Sequence, residues 1–238
     1  MGNNLFNGFT QESLDFLGNV RLNNSKEWYE EHRNDYHELL LKPFQYLVSD
    51  LSTDLLQIDS LLVVTPSVNK TISRLYRDTR FSKDKSLYRS SMWLTFKRPK
   101  VEWRDAPAFF FEISPEGYRY GMGYYSATRE SMDLFREMIV EDTPKFMEAI
   151  SFYDNQDIYL IEGDMYKNPL NPLISSELCQ WYDRKNINLV HNESNVDKLF
   201  SQNIADELLT GFTLLEPIYH YLCKVEERKQ SANSRFKL

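Results

Sequence analysis

The spacing of apolar positions changes twice along the chain, and the first stretch, residues 10–60, has a helical period. Thr10 and Ser25 are residues that favour the N-cap, so each is expected to begin a helix. Pro43 is expected to open a further helix, because proline is tolerated in a first helical turn. The inward positions predicted on that helix are Phe44, Leu47, Leu51 and Leu55.

The second stretch, residues 63–125, has the composition and alternation of strands. Four segments are predicted to be extended: TISRLYRD (71–78), SSMWLTFK (90–97), PAFFFEIS (107–114) and GYRYGMGYY (117–125). The intervening SPEG fits a type I turn, so the last two segments should form a hairpin. These segments predict a mainly antiparallel sheet.

The third stretch, residues 126–230, returns to a helical pattern. One helix is expected around Phe135, and Thr143 is expected to cap another. DIYLIEGD (157–164) is predicted as one more strand, and residues 196–224 as one or two closing helices. The polar tail from Glu226 onward is expected to fray.

Helices, then strands, then helices without regular βαβ alternation predict an α+β fold in one domain over residues 1–238. Helices at both ends of the chain are expected to pack on the central sheet. The formal net charge of −7 argues against a general nucleic-acid or membrane-surface protein. No apolar run is long enough for a membrane span, and the two cysteines form no CxxC. A cytoplasmic protein is expected; its oligomeric state is left open.

One stretch, RLYRDTRFSKDKSLYR (residues 74–89, the basic loop), has six basic and two acidic side chains in this acidic chain. It is predicted to connect two strands, and loops held by a sheet commonly carry function. Its arginines have planar forks suited to phosphate or carboxylate. The candidate ligand-binding residues are Arg74, Arg77, Asp78, Arg80, Lys83, Asp84, Lys85, Tyr88 and Arg89. Tyr76, Phe81 and Tyr88 are expected to line the ligand pocket that these residues would form.

Two glycines near residue 120 are further candidates. Gly121 and Gly123 precede a predicted helix, where a backbone without side chains lets an anion approach the helix start. The alternative is that they mark a kinked strand end. A dinucleotide fingerprint is rejected, since the preceding strand belongs to a hairpin.

Metal and cofactor chemistry is not indicated by any motif. None of the four histidines forms an HxxxH pair, so no zinc site is predicted. Asp78, Asp84 and Glu112 are carboxylates of the kind that bind magnesium, but their spacing matches no nuclease pattern. No cofactor is expected, and no catalytic residue is assigned.

The basic loop resembles the R.yRD.RFSkDK.PYK signature of an uncharacterised bacterial and fungal family, domain-of-unknown-function family 2461. FNGFTQESLDFLGNVRLNNSKEWYEEHRNDY at the N-terminus and GYRYGMGYYSA (117–127) are also similar to segments of that family. The chain departs from the signature at Leu87 and Arg89, where the family has proline and lysine. The resemblance implies a shared fold and a shared central loop, and no activity.

Three hypotheses follow for the basic loop. The leading one is binding of an anionic ligand, either a phosphate-bearing small molecule or a nucleic-acid end. The second is a metal-dependent hydrolase of phosphate esters, with Asp78 or Asp84 as metal ligand or base. The third is a structural clasp, in which the charges of the loop hold one another. The two aspartates decide between these hypotheses, because they determine how many of the six cations stay unpaired.

Overall fold

The fold was analysed in a computed structural model that describes residues 5–80, 83–100, 103, 105–125 and 127–235. Helices flank a five-stranded antiparallel sheet, which confirms the predicted α+β class. None of the helices in the described ranges is both long and apolar enough to cross a membrane.

The N-terminal helices are α1 (Gln11–Leu22), α2 (Lys26–Glu31), α3 (Arg33–Tyr36) and α4 (Lys42–Ile58), with a π-helical turn, His37–Leu41, before α4.

Capping residues set the starts of these helices as expected. Thr10 is the N-cap of α1, and the Ser25 hydroxyl accepts a hydrogen bond from the backbone N–H of Trp28. Pro43 lies in the first turn of α4, one residue later than the helix start. The four inward residues predicted on α4 are all fully buried.

The strands are β1 (Met92–Phe96), β2 (Ala108–Ser114), β3 (Gly117–Gly123), β4 (Leu160–Glu162) and β5 (Asn188–Glu193), in the order β1-β2-β3-β5-β4. In the β4–β5 pair, Ile161 lies opposite Leu189. The strands predicted for β1 to β4 and the β2–β3 hairpin are confirmed. Strand β5 was not predicted, because its sequence NLVHNE lacks clear alternation.

The C-terminal half contains α5 (Arg129–Glu141), α6 (Thr143–Ile150), α7 (Ser176–Tyr182) and α8 (Asn203–Arg235). The predicted cap Thr143 is wrong: the Asp142 carboxylate caps α6 by accepting from the N–H of Lys145.

The fraying predicted from Glu226 onward is also wrong up to Arg235, where α8 ends. The last three residues, 236–238, lie outside the described residues. Two charged residues in the polar tail explain this result. Lys229 is 8% exposed, and its ammonium group donates to the carboxylate of Asp105 at 2.6 Å and to the hydroxyl of Ser131 at 2.9 Å. Glu226 is buried and accepts from the hydroxyl of Tyr124. Buried charges persist only when they are paired in this way, so the tail is fixed by its polar residues.

The chain divides into two compact units. One takes in the chain up to Phe96, Phe110–Tyr120 and Asn192–Thr210; the other takes in Lys97–Phe109, Gly121–His191 and the chain from Gly211 onward. The basic loop belongs to the first unit. The single domain expected over residues 1–238 stays a prediction.

Gly121 lies where β3 runs close to β5. A Cβ at this position would stand 1.9 Å from the carbonyl oxygen of Leu189. We expect Gly121→Ala to lower the stability by ~3 kcal/mol or more, because a backbone atom cannot move away as a side chain would. Thermal denaturation should show a fall in Tm of several degrees.

Gly18 provides the matched control for this substitution. It lies inside α1, and a Cβ there would meet nothing within 4 Å. Gly18→Ala should raise the stability by about 0.5–1 kcal/mol, since alanine favours a helix. Equal Tm values for the two variants would contradict the close approach at Gly121.

The β2–β3 turn is tied to α1 by an ion pair within the first unit. The Arg21 guanidinium donates from Nη2 to the Glu116 carboxylate at 3.0 Å, and a second bond from Nη1 makes the pair bidentate. The hydrogen bond with Arg21 lowers the pKa of Glu116 from 4.5 to about 2.

This shift predicts a pH-dependent contribution to stability. A lowered pKa contributes stability above the ordinary pKa of 4.5 and loses it as the pH falls towards about 2. Wild type should therefore exceed Glu116→Gln in Tm near neutral pH, and the difference should vanish near pH ~2. Both side chains are largely exposed, so we expect about 1 kcal/mol or less. Equal Tm values for wild type and Glu116→Gln near neutral pH would contradict this contribution.

Candidate functional site

The basic loop folds back on itself as a hairpin-like arm. The N–H of Arg77 donates to the carbonyl of Leu87 at 2.7 Å, and the N–H of Arg89 donates to the carbonyl of Leu75 at 2.9 Å. Between these bonds Tyr76 lies opposite Tyr88 in an antiparallel bridge. The two ends of the loop are thus held side by side.

The strand predicted for residues 71–78 is wrong, because this segment changes partner midway. Ser73 donates its N–H to the carbonyl of Trp93, and Thr71 accepts from Thr95, so the first part pairs with β1. The second part pairs with residues 87–89 within the loop itself. Alternation alone predicted one strand, but a strand in a continuous ladder needs the same partner along its length. The change of partner falls at Arg74.

Arg89 supports the backbone at this change of partner. Its Nη1 donates to the carbonyl oxygens of Arg74 at 3.3 Å and Tyr76 at 3.0 Å. The guanidinium carbon lies 5.0 Å from the centre of the Trp93 ring, in a cation–π contact. Arg89 is therefore part of the frame of the loop.

Asp78 shapes one side of the loop tip. One of its carboxylate oxygens accepts from the N–H of Arg80 at 3.2 Å, which forms a turn two residues long. The Arg80 guanidinium donates to both oxygens, at 3.0 and 2.7 Å. This hydrogen bond from the Arg80 side chain is the main reason that the pKa of Asp78 falls well below its usual range.

Asp84 performs the same task on the other side. Its carboxylate accepts from the N–H of Ser86 at 2.9 Å and forms a salt bridge with Nη2 of Arg77 at 3.1 Å. The backbone hydrogen bond from Ser86 is the first cause of a lowered pKa for Asp84. Each aspartate therefore joins a backbone turn to one arginine.

The remaining basic side chains of the loop are those of Lys85, Arg74 and Lys83. Lys85 donates to the carbonyl of Thr79 at 2.8 Å. The side chains of Arg74 and Lys83 are exposed and make no hydrogen bond or salt bridge with any residue in the described ranges. Positive charge therefore exceeds the acceptors that the loop provides.

The arginines converge on a pocket of about 280 Å³, here called the arginine pocket. Its lining residues are Arg74, Tyr76, Arg77, Asp78, Thr79 and Arg80. Three positive charges face one negative charge there. Burial lowers the pKa of Arg89, and the charges of Arg77 and Arg74 lower it further, which shows how close these cations lie. Lys83, Asp84 and Lys85 do not line this pocket.

Sequence reasoning missed the residue that anchors the loop, Asn24. Its side-chain NH₂ donates to the carbonyl of Tyr88 at 2.8 Å, and its side-chain oxygen accepts from the N–H of Tyr88 at 3.0 Å. The Tyr29 ring stacks on the Tyr88 ring with centres 4.6 Å apart. Asn24 lies next to the predicted N-cap Ser25, but no local pattern points from it to a residue 64 positions later.

The other sequence-predicted site residues stand apart from the arginine pocket lining. Gly121 and Gly123 are on β3 in the second unit, and α5 begins later than expected, with Thr128 as its N-cap. The close approach to Leu189 accounts for Gly121 without a ligand. A ligand role for the glycines stays a prediction, and Phe81 lies outside the described residues. Among the described residues, no three His, Cys, Asp or Glu side chains gather to hold a metal ion.

Fold and loop together define an α+β protein whose basic hairpin arm is braced by its own aspartates. The chain belongs to the family of conserved hypothetical proteins DUF2461, whose model matches residues 12–221. This match confirms the resemblance given above and covers the basic loop. Comparisons with curated proteins and with solved structures found no match.

Asn24→Ala should destabilise the protein, because it leaves both backbone groups of Tyr88 without their partner. We expect a loss of about 2 kcal/mol, as for other partly buried hydrogen-bonding groups. Asn23→Ala is the matched control: both side chains donate to the carbonyl four residues earlier, but only Asn24 also bonds Tyr88. Chemical denaturation measures both, and equal losses would contradict the anchoring role.

Proposed function

We propose that the basic loop binds an anionic, phosphate-bearing ligand in the arginine pocket. The observation that carries this proposal is the lining of that pocket, with three arginines against the single carboxylate of Asp78. The guanidinium of Arg74 makes no hydrogen bond or salt bridge among the described residues, so its donors are available to a ligand. Guanidinium forks match the oxygens of phosphate in pairs, so three of them suit a phosphate group.

Pairing with the aspartates prepares Arg77 and Arg80 for this role. A guanidinium held by a carboxylate loses less freedom when a ligand arrives than a solvated side chain does. An arginine has five N–H donors, and a carboxylate pair uses only part of them. The aspartates therefore orient the arginines without neutralising the pocket as a whole.

A structural clasp is the second candidate, and the pairs Arg80–Asp78 and Arg77–Asp84 favour it. Both pairs connect parts of the same loop, as a clasp would. Asp78 and Asp84 are already engaged by arginines and backbone N–H groups, so no specific observation favours the metal-dependent hydrolase over these two candidates.

We include a cytoplasmic location in the proposal. Cys179 and Cys223 both lie in the described part of the chain and form no disulfide there, which suits a reducing compartment. Phosphate-bearing metabolites and nucleic-acid ends are both ligands that the protein would meet there.

Arg74→Ala should weaken binding of inorganic phosphate by about tenfold or more, the usual effect of removing a charge-assisted hydrogen bond. Isothermal titration calorimetry measures this loss directly. The control is Arg129→Ala, an arginine in the second unit whose side chain is 88% exposed and which is not part of the loop. Its affinity should stay at the wild-type value. Phosphate affinity unchanged by Arg74→Ala, or no phosphate binding by wild type, would contradict the proposal.

Asp84→Asn separates ligand binding from the clasp. This variant removes one negative charge and weakens the bracing of Arg77. A binding site predicts phosphate affinity that stays equal or rises, with a fall in Tm of only a few degrees, because the Asp84 side chain is 54% exposed. A pure clasp predicts a large fall in Tm and no phosphate binding by any variant.

A further inference from the structure

A second pocket adjoins the arginine pocket and shares two of its residues. This tyrosine pocket, of about 220 Å³, is lined by Tyr29, Tyr36, Val68, Arg74, Leu75, Tyr76 and Tyr88. Arg74 and Tyr76 line both pockets. A ligand held by the arginines therefore has aromatic surface directly beside it.

The rings of the tyrosine pocket are fixed against one another. Tyr29 and Tyr88 stack at 4.6 Å, and the Tyr76 ring meets Tyr88 edge-on at 5.8 Å. Asn24 holds the backbone of Tyr88 from both sides. Tyr76 is nevertheless 51% exposed, so part of its surface is available to a planar group. An aromatic ring that is held by its neighbours and partly exposed can stack with a planar group of a ligand.

The tyrosine pocket also contains four tyrosine hydroxyl groups. Those of Tyr29, Tyr36, Tyr76 and Tyr88 make no hydrogen bond with any residue that the structure describes. Burial raises the pKa of Tyr29 and Tyr88, and it raises that of Tyr36 to about 12. The hydroxyls of Tyr29, Tyr36 and Tyr88 therefore stay neutral and keep their donors. The edge of a nucleobase offers matching acceptors and donors, whereas a plain phenyl ring does not.

We propose that the ligand is a nucleotide, with its phosphate in the arginine pocket and its base in the tyrosine pocket. The inference rests on the proposed function, since it assigns the phosphate to the same arginines. Tyr76 provides the stacking face, and the planar guanidinium of Arg74 lies where it serves both parts of the ligand. The combined size of the pockets falls within the ~300–1,000 Å³ typical of small-ligand sites.

Binding of three compounds to the full chain tests this assignment: AMP, inorganic phosphate and phenyl phosphate. AMP should bind roughly tenfold or more tightly than phosphate, the gain expected from one stacked base. Phenyl phosphate should fall clearly below AMP, because it lacks the polar ring edge. Equal affinities for AMP and phenyl phosphate would overturn the assignment of a base.

Substitutions of Tyr76 locate the base. Tyr76→Ala should bring the affinity for AMP close to the affinity of the same variant for phosphate. Tyr76→Phe should retain most of the AMP affinity, because it keeps the stacking face. Tyr46→Ala, at a half-buried tyrosine of α4 that lines neither pocket, is the control and should change nothing.

Val68→Trp tests the same point without touching a tyrosine, in case Tyr76→Ala unfolds. A larger side chain fills the tyrosine pocket from its wall, so AMP should lose its advantage and phosphate should not. If phosphate binds through Arg74 and AMP binds no more tightly, the nucleotide assignment fails and the anion site stands. If neither phosphate nor AMP binds, both proposals fail.

Discussion

Six cations share two carboxylates in the basic loop, and this imbalance governs its structure. Like charges at close range repel, so each cation needs an acceptor, solvent or distance. Backbone carbonyls supply the missing acceptors: Arg89 takes those of Arg74 and Tyr76, and Lys85 takes that of Thr79. Among the described residues, the backbone hydrogen bonds that pair the two sides of the loop do not use these three carbonyls. The carbonyls therefore remain available to accept from the basic side chains.

Aromatic and hydrogen-bonded contacts at the two ends of the basic loop hold it in place. Exposed ion pairs alone contribute little stability, since solvent and salt screen them. The tip of the loop could not be held by Asp78 and Asp84 alone. Its stem is fixed by apolar and hydrogen-bonded contacts, with Leu75 buried, Tyr88 stacked on Tyr29 and the backbone of Tyr88 bound to Asn24. The two ends of the basic loop are therefore fixed by packing and hydrogen bonds rather than by its ion pairs.

Local chemistry made much of the fold predictable from the sequence. N-caps such as Thr10 and Ser25 act on the first turn of their own helices, and the β2–β3 turn is specified by four consecutive residues. Predictions failed where a distant partner decides the outcome. The tail of α8 is ordered because Lys229 meets Asp105 across 124 positions, and the segment 71–78 is divided between two partners. Composition identified the basic loop, but not Asn24 or the tyrosines of α2 and α3, which reach it only through the fold.

The pairing of arginines with aspartates need not oppose ligand binding. A free cluster of three arginines would carry a high self-repulsion and would lose much side-chain freedom on binding. Asp78 and Asp84 reduce both costs, because each fixes a guanidinium to a turn of the backbone. Arg74 lies apart from this bracing, at the point where the backbone changes partner, and it borders both pockets. Its guanidinium makes no hydrogen bond or salt bridge among the described residues, so its donors are available to a ligand that reaches either pocket.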